Sequence, residues 1–422
     1  FPYTTLFRSV LDRLSRWTYL FSVALLLYRG PALGPLKIAD IALIAALGLF
    51  VLSNYDAIRI SRGFLVLFSG FFALVWFSTV VSPFGFSPGT VEDFLRYLIG
   101  FGFALVTFHF VTNYTNGFER LQHTFNFAAI LSTILGLLAV GLFFLGVRWV
   151  WVVSLLYSPD VPRATPFFYD PNHYASVLTI AYVLSYNYVF GYLRGDHDSV
   201  VWLGVPVVLA VGIVAAGSRT GLGVLMITTV MLVGRPLVQF IARRQTEIMV
   251  AAIVGLVAVS SVVAVKNNIL FTIFESGSLR QNSVSRALAD RVHLWSVAFR
   301  VWSNYPLLGV GPDNYIRYLT TVASSWGLEK VKNPHNTYFT LLAQTGILGF
   351  GAFLLMYVRS MVIGIRTLWN DTRNYVILGV TLLVAMATWG IFLDIVTSRR
   401  LWFALGLSLG LFHVGKVSGE EL

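Results

Sequence analysis

The chain has 422 residues, of which 57% are hydrophobic and 12% charged, and its mean hydropathy is +0.75. A soluble domain averages about 45–50% apolar and about 25% charged residues. An ordinary soluble enzyme and a disordered chain are therefore excluded, and an integral membrane protein with many spans remains. Cysteine is absent, which removes disulfides and thiolate metal sites. The net charge of +11 reflects positive loops in such a protein and is no sign of nucleic acid by itself.

The chain does not open with Met. Phe1–Ser9 reads FPYTTLFRS, which matches the translation of a common sequencing-adapter oligonucleotide. It is expected to be a scar on an N-terminally incomplete reading frame. Apolar runs of spanning length follow at Trp17–Tyr28, Ile38–Ser53, Gly63–Ser82, Phe94–Val111, Asn126–Val147 and Tyr174–Leu193. Six more lie at Val200–Ala216, Thr220–Val233, Glu247–Val265, His335–Val358, Asn374–Leu393 and Leu401–Val414. The expected fold is all-α with about twelve transmembrane helices, because a span in lipid must satisfy its own backbone hydrogen bonds. Residues 10–265 would hold spans one to nine, 266–334 a loop, and 335–422 spans ten to twelve.

Lys and Arg set the orientation. With the N-terminus in the cytoplasm, thirteen fall in inside loops and seven in short outside loops, as the positive-inside rule requires. Both termini are then cytoplasmic and the long loop is external. That loop carries a helical pattern, Leu288, Val292, Trp295 and Phe299 at three- and four-residue spacing, ended by Pro306. It is expected to form a small helical cap. The seven histidines sort into His109, His123, His197 and His413 at the inner face and His173, His293 and His335 at the outer face. No HExxH and no dense carboxylate cluster is present, so nothing asks for a metal.

Four outer stretches carry polar groups where a bilayer makes them costly. RATPFFYDPNHYAS (Arg163–Ser176) has Arg163 and, at Asp170-Pro171-Asn172, a turn with a capping residue. GSRTG pins Arg219 in a very short turn between two spans, where a guanidinium offers fixed paired donors to a phosphate. RVHLW places Arg291 on the loop helix, with Arg286 as the nearest competitor, and is followed by PLLGVGP. NPHNTY then AQTGILG sets His335 and Asn336 at the entry to span ten, with Gln344 beyond. Each has a plainer reading as a headgroup contact, a snorkelling Arg, a salt bridge or a cap. Together they suggest one reaction. Arginines hold a diphosphate and stabilise it as it leaves, and an imidazole, which titrates near neutral pH, takes a proton from an attacking hydroxyl.

PHNTYFTLLAQTGILGF, preceded by RVHLW and PLLGVGPDN, and upstream GSRTG and RATPFFYDPNHYAS, resemble the O-antigen ligase and O-antigen polymerase superfamily of bacterial membrane proteins. The resemblance implies a C-type glycosyltransferase fold with a helical periplasmic loop between helices nine and ten. It implies a metal-independent enzyme without cofactors, in the bacterial inner membrane, with its site at the periplasmic face. The donor would be an undecaprenyl diphosphate-linked glycan, and the acceptor lipid A-core in a ligase. A polymerase would extend glycan on its lipid, and a protein O-oligosaccharyltransferase would modify Ser or Thr. By motif, His335 matches the essential histidine and Arg219 and Arg291 the two donor-diphosphate arginines. Arg163 and Asp170 match less defined positions. Gln344 stands where the family usually has Glu, so any role of that carboxylate is lost. A twelve-span transporter would instead show two related halves and charges deep in the spans, whereas Asp40 and Glu247 lie near span ends.

Overall fold

A computed structural model describes residues 2–28, 32–33, 36–54, 62–86, 88–147, 149–158, 161–168, 170–195, 199–243, 283–323, 325, 332–370 and 374–417. The expected ninth span, the loop before residue 283 and His197 lie outside the described residues. The chain divides into two compact units, Phe1–Thr124 with Val284–Leu422, and Phe125–Ser283.

The protein is an all-α membrane protein. The helices in chain order are α1 (Pro2–Ala24), which begins well before the expected run at Trp17–Tyr28, α2 (Ile38–Asn54), α3 (Arg62–Val81), α4 (Pro88–Asn113), α5 (Gly117–Phe144), the short α6 (Val150–Ser154), which no expected run announced, α7 (Pro171–Arg194), α8 (Gly204–Ala215) and α9 (Arg219–Arg243). After the undescribed stretch come α10 (Ser283–Asn304), α11 (Asn314–Val322), α12 (Thr337–Asn370), α13 (Asn374–Phe392) and α14 (Arg399–Val417). Two small antiparallel hairpins, β1 with β2 (Ala32–Leu33, Leu36–Lys37) and β3 with β4 (Leu156–Ser158, Val161–Ala164), punctuate them. Among the described residues six helices are long and apolar enough to cross a membrane: α3, α4, α5, α7, α12 and α13. Shorter apolar helices lie at Ile38–Leu52, Val200–Ala215 and Arg219–Gly234.

In the first unit α4 packs on α14 and α3 on α12. Glycine lets α4 and α14 touch: a Cβ at Gly406 would stand 2.2 Å from the carbonyl oxygen of Ala104, the close approach that small residues permit between spans. Trp402 is fully buried there and donates its indole N–H to Val396 O at 2.7 Å. Asp40, at the start of α2 and fully buried, accepts a two-pronged ion pair from Arg399 at the start of α14. A buried carboxylate needs such a partner.

α12 is broken. Gly346 has φ 62° and ψ −169°, a conformation reserved for glycine. The break frees backbone groups, which a bilayer does not forgive. The segment from Pro306 to Gly311 satisfies them. Ile347 and Leu348 donate to Pro306 O and Leu307 O at 2.9 and 3.2 Å, while Val310 and Gly311 donate to Ala343 O and Gln344 O at 3.0 and 2.8 Å. Ser78 of α3 donates to Leu308 O and Gln344 O.

α10, α11 and the segment between them build a small core together with α12. Val297, Ala298 and Val301 of α10 pack with Val310, Tyr315, Tyr318, Leu319 and Ala343. The sequence pattern placed α10 correctly and its buried face wrongly. Val292 and Phe299 are each 51% exposed. The helix has two apolar stripes, and the one that packs runs through Val297 and Val301.

In the second unit α7 is central and packs on α8 and α9. Asp170 caps it, accepting from Asn172 N at 2.6 Å and His173 N at 3.2 Å, with Pro171 in the first turn and Gly195 (φ 82°) ending it. This arrangement is that of a strong helix start and a glycine stop.

Candidate functional site

The sequence-predicted residues fall into two groups, one in each unit. In the first unit, the start of α12 is locked to the turn after α13. Asn336 caps α12, accepting from Tyr338 N and Phe339 N at 2.9 and 3.0 Å, and its amide donates to Ile391 O at 2.8 Å. Thr337 donates to Leu393 O at 2.8 Å and accepts from Ile395 N at 2.9 Å. Asn336 is thus a buried tether, with its hydrogen-bonding capacity committed to backbone.

His335 stands immediately before this lock. It is exposed and adopts φ 49°, uncommon for a residue with a Cβ though more accessible to His than to most. Such backbone persists where its surroundings over-determine it, and such places cluster at functional sites. The surroundings here are visible. Trp295 of α10 donates its indole N–H to Pro334 O at 3.2 Å and stacks on Phe339 with centroids 5.7 Å apart. Arg291, one turn before Trp295, holds its guanidinium 5.5 Å from the centroid of Phe392, a cation–π distance. Phe392 sits between Ile391 and Leu393, the residues that Asn336 and Thr337 grip. Arg291 and His335 are therefore brought to one locality by Trp295 on one side and by the α13 turn on the other. Gln344 is not part of it. It lies further along α12 at the break, buried, with its backbone carbonyl holding the loop. Arg286 lies on α10, and its side chain is outside the described residues.

Sequence reasoning missed Asp394, which lies in this same turn. Its carboxylate accepts from Val396 N at 3.4 Å. Burial pushes its pKa up to about 7, helped by the nearby Asp93 carboxylate and opposed by the Val396 N–H and by Arg400. The one signal available, an Asp between two apolar runs, was hidden because it sits at a span end, where charge is unremarkable.

In the second unit, GSRTG is braced from three sides. Arg163 donates from Nε to Ala216 O at 3.2 Å and from Nη2 to Gly217 O at 2.8 Å. Ser218 donates to Asn172 Oδ1 at 2.7 Å and accepts from Gly221 N at 2.9 Å, capping α9. Gly217 supplies the φ of 61° that the turn needs. The result is Arg219 as the first residue of α9, exposed, with no hydrogen bond or ion pair among the described residues. An unengaged guanidinium beside the free N–H groups of a helix start is an arrangement suited to phosphate. Arg163 and Asp170 hold this frame: one ties the turn, the other caps the neighbouring helix.

Residues 205–354 match the family model described as O-antigen ligase. The match supports the O-antigen ligase superfamily, to which the motifs pointed. No curated protein matches the chain. The matched O-antigen ligase region contains Arg219, Arg291, His335, Asn336 and Gln344. It leaves out Arg163 and Asp170, the two residues that the hydrogen bonds give supporting roles. Among the described residues no group of three or more His, Asp or Glu is arranged to hold a metal ion.

Proposed function

We propose that the protein is a membrane glycosyltransferase of the O-antigen ligase type, moving a glycan from a polyprenyl diphosphate carrier to lipid A-core at the outer face of a bacterial inner membrane. One observation carries the reading. The exposed, conformationally constrained His335 and the guanidinium of Arg291 share a locality inside the stretch that matches the O-antigen ligase family.

In this reading an acceptor hydroxyl attacks the anomeric carbon of the donor sugar. His335 takes the hydroxyl proton. The bond from that carbon to the diphosphate oxygen breaks, and the diphosphate leaves with its electrons. Arg291 carries the charge it acquires. General base catalysis of this kind contributes about 10²–10⁴-fold, and removal of one charge-stabilising donor costs about 10²–10³-fold. The loop core around Val301 and Tyr315 keeps α10 in register with the start of α12, so Arg291 and His335 stay set for one substrate.

The test is transfer in vitro. Purified protein receives a polyprenyl diphosphate-linked glycan, with lipid A-core as acceptor and chelator present. Transfer to the core, lost by at least about 10²-fold in His335→Ala and Arg291→Ala, supports the ligase reading. Lengthening of glycan on its carrier makes the protein a polymerase. Glycan on protein Ser or Thr makes it an O-oligosaccharyltransferase. Product formed by both variants at the wild-type rate removes the assigned site.

A further inference from the structure

The first unit contains a second feature, at the end of α12 away from His335. Phe64 of α3, Leu105 and Phe108 of α4, Met356 of α12, and Leu409 and Phe412 of α14 wall a cleft of about 190 Å³. Four polar side chains interrupt the walls: Arg359, Ser360, Thr367 and His413. Ser360 and Thr367 donate to carbonyls of their own helix, Met356 O and Ile363 O, both at 2.9 Å. His413 lies edge-on to Phe108, centroids 5.9 Å apart. Arg359 is exposed and makes no hydrogen bond or ion pair among the described residues, and the same holds for Arg366 two turns later.

Where this cleft lies in the bilayer follows from α12. On the two sides of the break at Gly346, α12 rises about 12 Å from Thr337 to Thr345 and about 20 Å from Gly346 to Arg359 at 1.5 Å per residue, at most about 32 Å in all. The hydrocarbon core is about 30 Å thick. If His335 marks one face of the membrane, Arg359 is at headgroup level on the other. The helix around it presents Leu355, Val358, Val362 and Ile363 outward, 38–56% exposed. Ile363 also lines the cleft, so the cleft meets a surface that belongs in lipid.

Size and lining decide the ligand. A pocket for a drug-sized or sugar ligand occupies about 300–1,000 Å³ and offers several convergent polar groups. This one is smaller and mostly apolar, which suits a stretch of hydrocarbon chain. A guanidinium with no partner at its mouth calls for an anion, and a phosphate fits it in two-pronged fashion. A zwitterionic headgroup brings its own cation and leaves less net attraction. We infer that this cleft is a binding site for an anionic glycerophospholipid of the leaflet opposite His335, with an acyl chain between α4, α12 and α14 and the phosphate on Arg359. The inference does not depend on the glycosyl-transfer reading.

Native mass spectrometry of the full chain in detergent tests it, with phosphatidylglycerol and phosphatidylcholine titrated separately. The expected result is at least tenfold tighter retention of phosphatidylglycerol, reduced to the phosphatidylcholine level in Arg359→Ala. Leu409→Trp, which fills the cleft and leaves the guanidinium, is expected to lose the preference too, and covers the case in which Arg359→Ala folds poorly. Soluble glycerol phosphate in excess is expected not to displace the lipid. Equal retention of the two lipids by the unaltered protein overturns the proposal. So does a preference that survives in Arg359→Ala or Leu409→Trp. Displacement by glycerol phosphate would reduce the site to an anion contact without an acyl chain, which also overturns it.

Discussion

Asp394 and His335 both sit where α12 meets the turn after α13, and they differ in how the protein holds them. His335 is exposed on strained backbone, and Asp394 is desolvated. The Asp394 carboxyl moves from its ordinary 3.8 to about 7, which ties folding to pH. Below about pH 3.8 the group is neutral in both states. Between about pH 4 and 7 the unfolded carboxyl has lost its proton while the folded one keeps it. The unfolded state then binds fewer protons, so stability falls as pH rises, until the slope ends above about pH 7. Asp394→Asn is expected to flatten this slope, measured by thermal unfolding in detergent at fixed salt. An unchanged slope would assign the dependence to another group. Asp170 illustrates the opposite outcome of the same kind of inspection. Its two accepted hydrogen bonds are those of a helix cap, worth about 1 kcal/mol, and they explain the residue without any chemistry.

The helices themselves were legible in the chain, because an apolar run of spanning length has few alternatives in lipid. α2, α3 and α13 begin and end within a residue or two of the apolar runs that announced them. Arg219 was legible as a pinned cation, since a five-residue turn between two apolar segments leaves it little room. What holds it was not. The bonds from Arg163 to Ala216 and Gly217 join residues more than fifty positions apart, and no local pattern encodes them. The break in α12 was hidden for the same reason. No proline or charge in LLAQTGILGF marks the break at Gly346, and the groups that satisfy it come from Pro306–Gly311. α10 misled because it carries two apolar stripes, and periodicity cannot say which one packs. The break allows a sharp test. A Cβ at Gly346 would lie 2.2 Å from Leu307 O, and φ there is 62°. Gly346→Ala is expected to destabilise by about 3 kcal/mol or more, through strain and displaced backbone. Thermal unfolding with circular dichroism would read it, and a change within about 0.5 kcal/mol would show that the loop can yield.

At the scale of the whole molecule, the composition makes the expected orientation easy to test. The chain has no Cys, so single-cysteine variants need no background removed. Ser325, after α11, and Thr115, between α4 and α5, are both exposed. With the N-terminus cytoplasmic, a membrane-impermeant maleimide applied to intact spheroplasts is expected to label Ser325→Cys and spare Thr115→Cys until the membrane is opened. The reverse pattern would invert the orientation and move His335 to the cytoplasmic side. The backbone joint between 306–311 and 343–348 bears on a different matter, that of how such a protein could change over generations. The two strips of backbone must match each other. A chimaera that took one strip from one parent and the other from a second could strand up to four backbone pairs, at about 1–3 kcal/mol for each buried group left unmet. Recombination that succeeds should therefore pass Pro306 through Leu348 on as one inherited block.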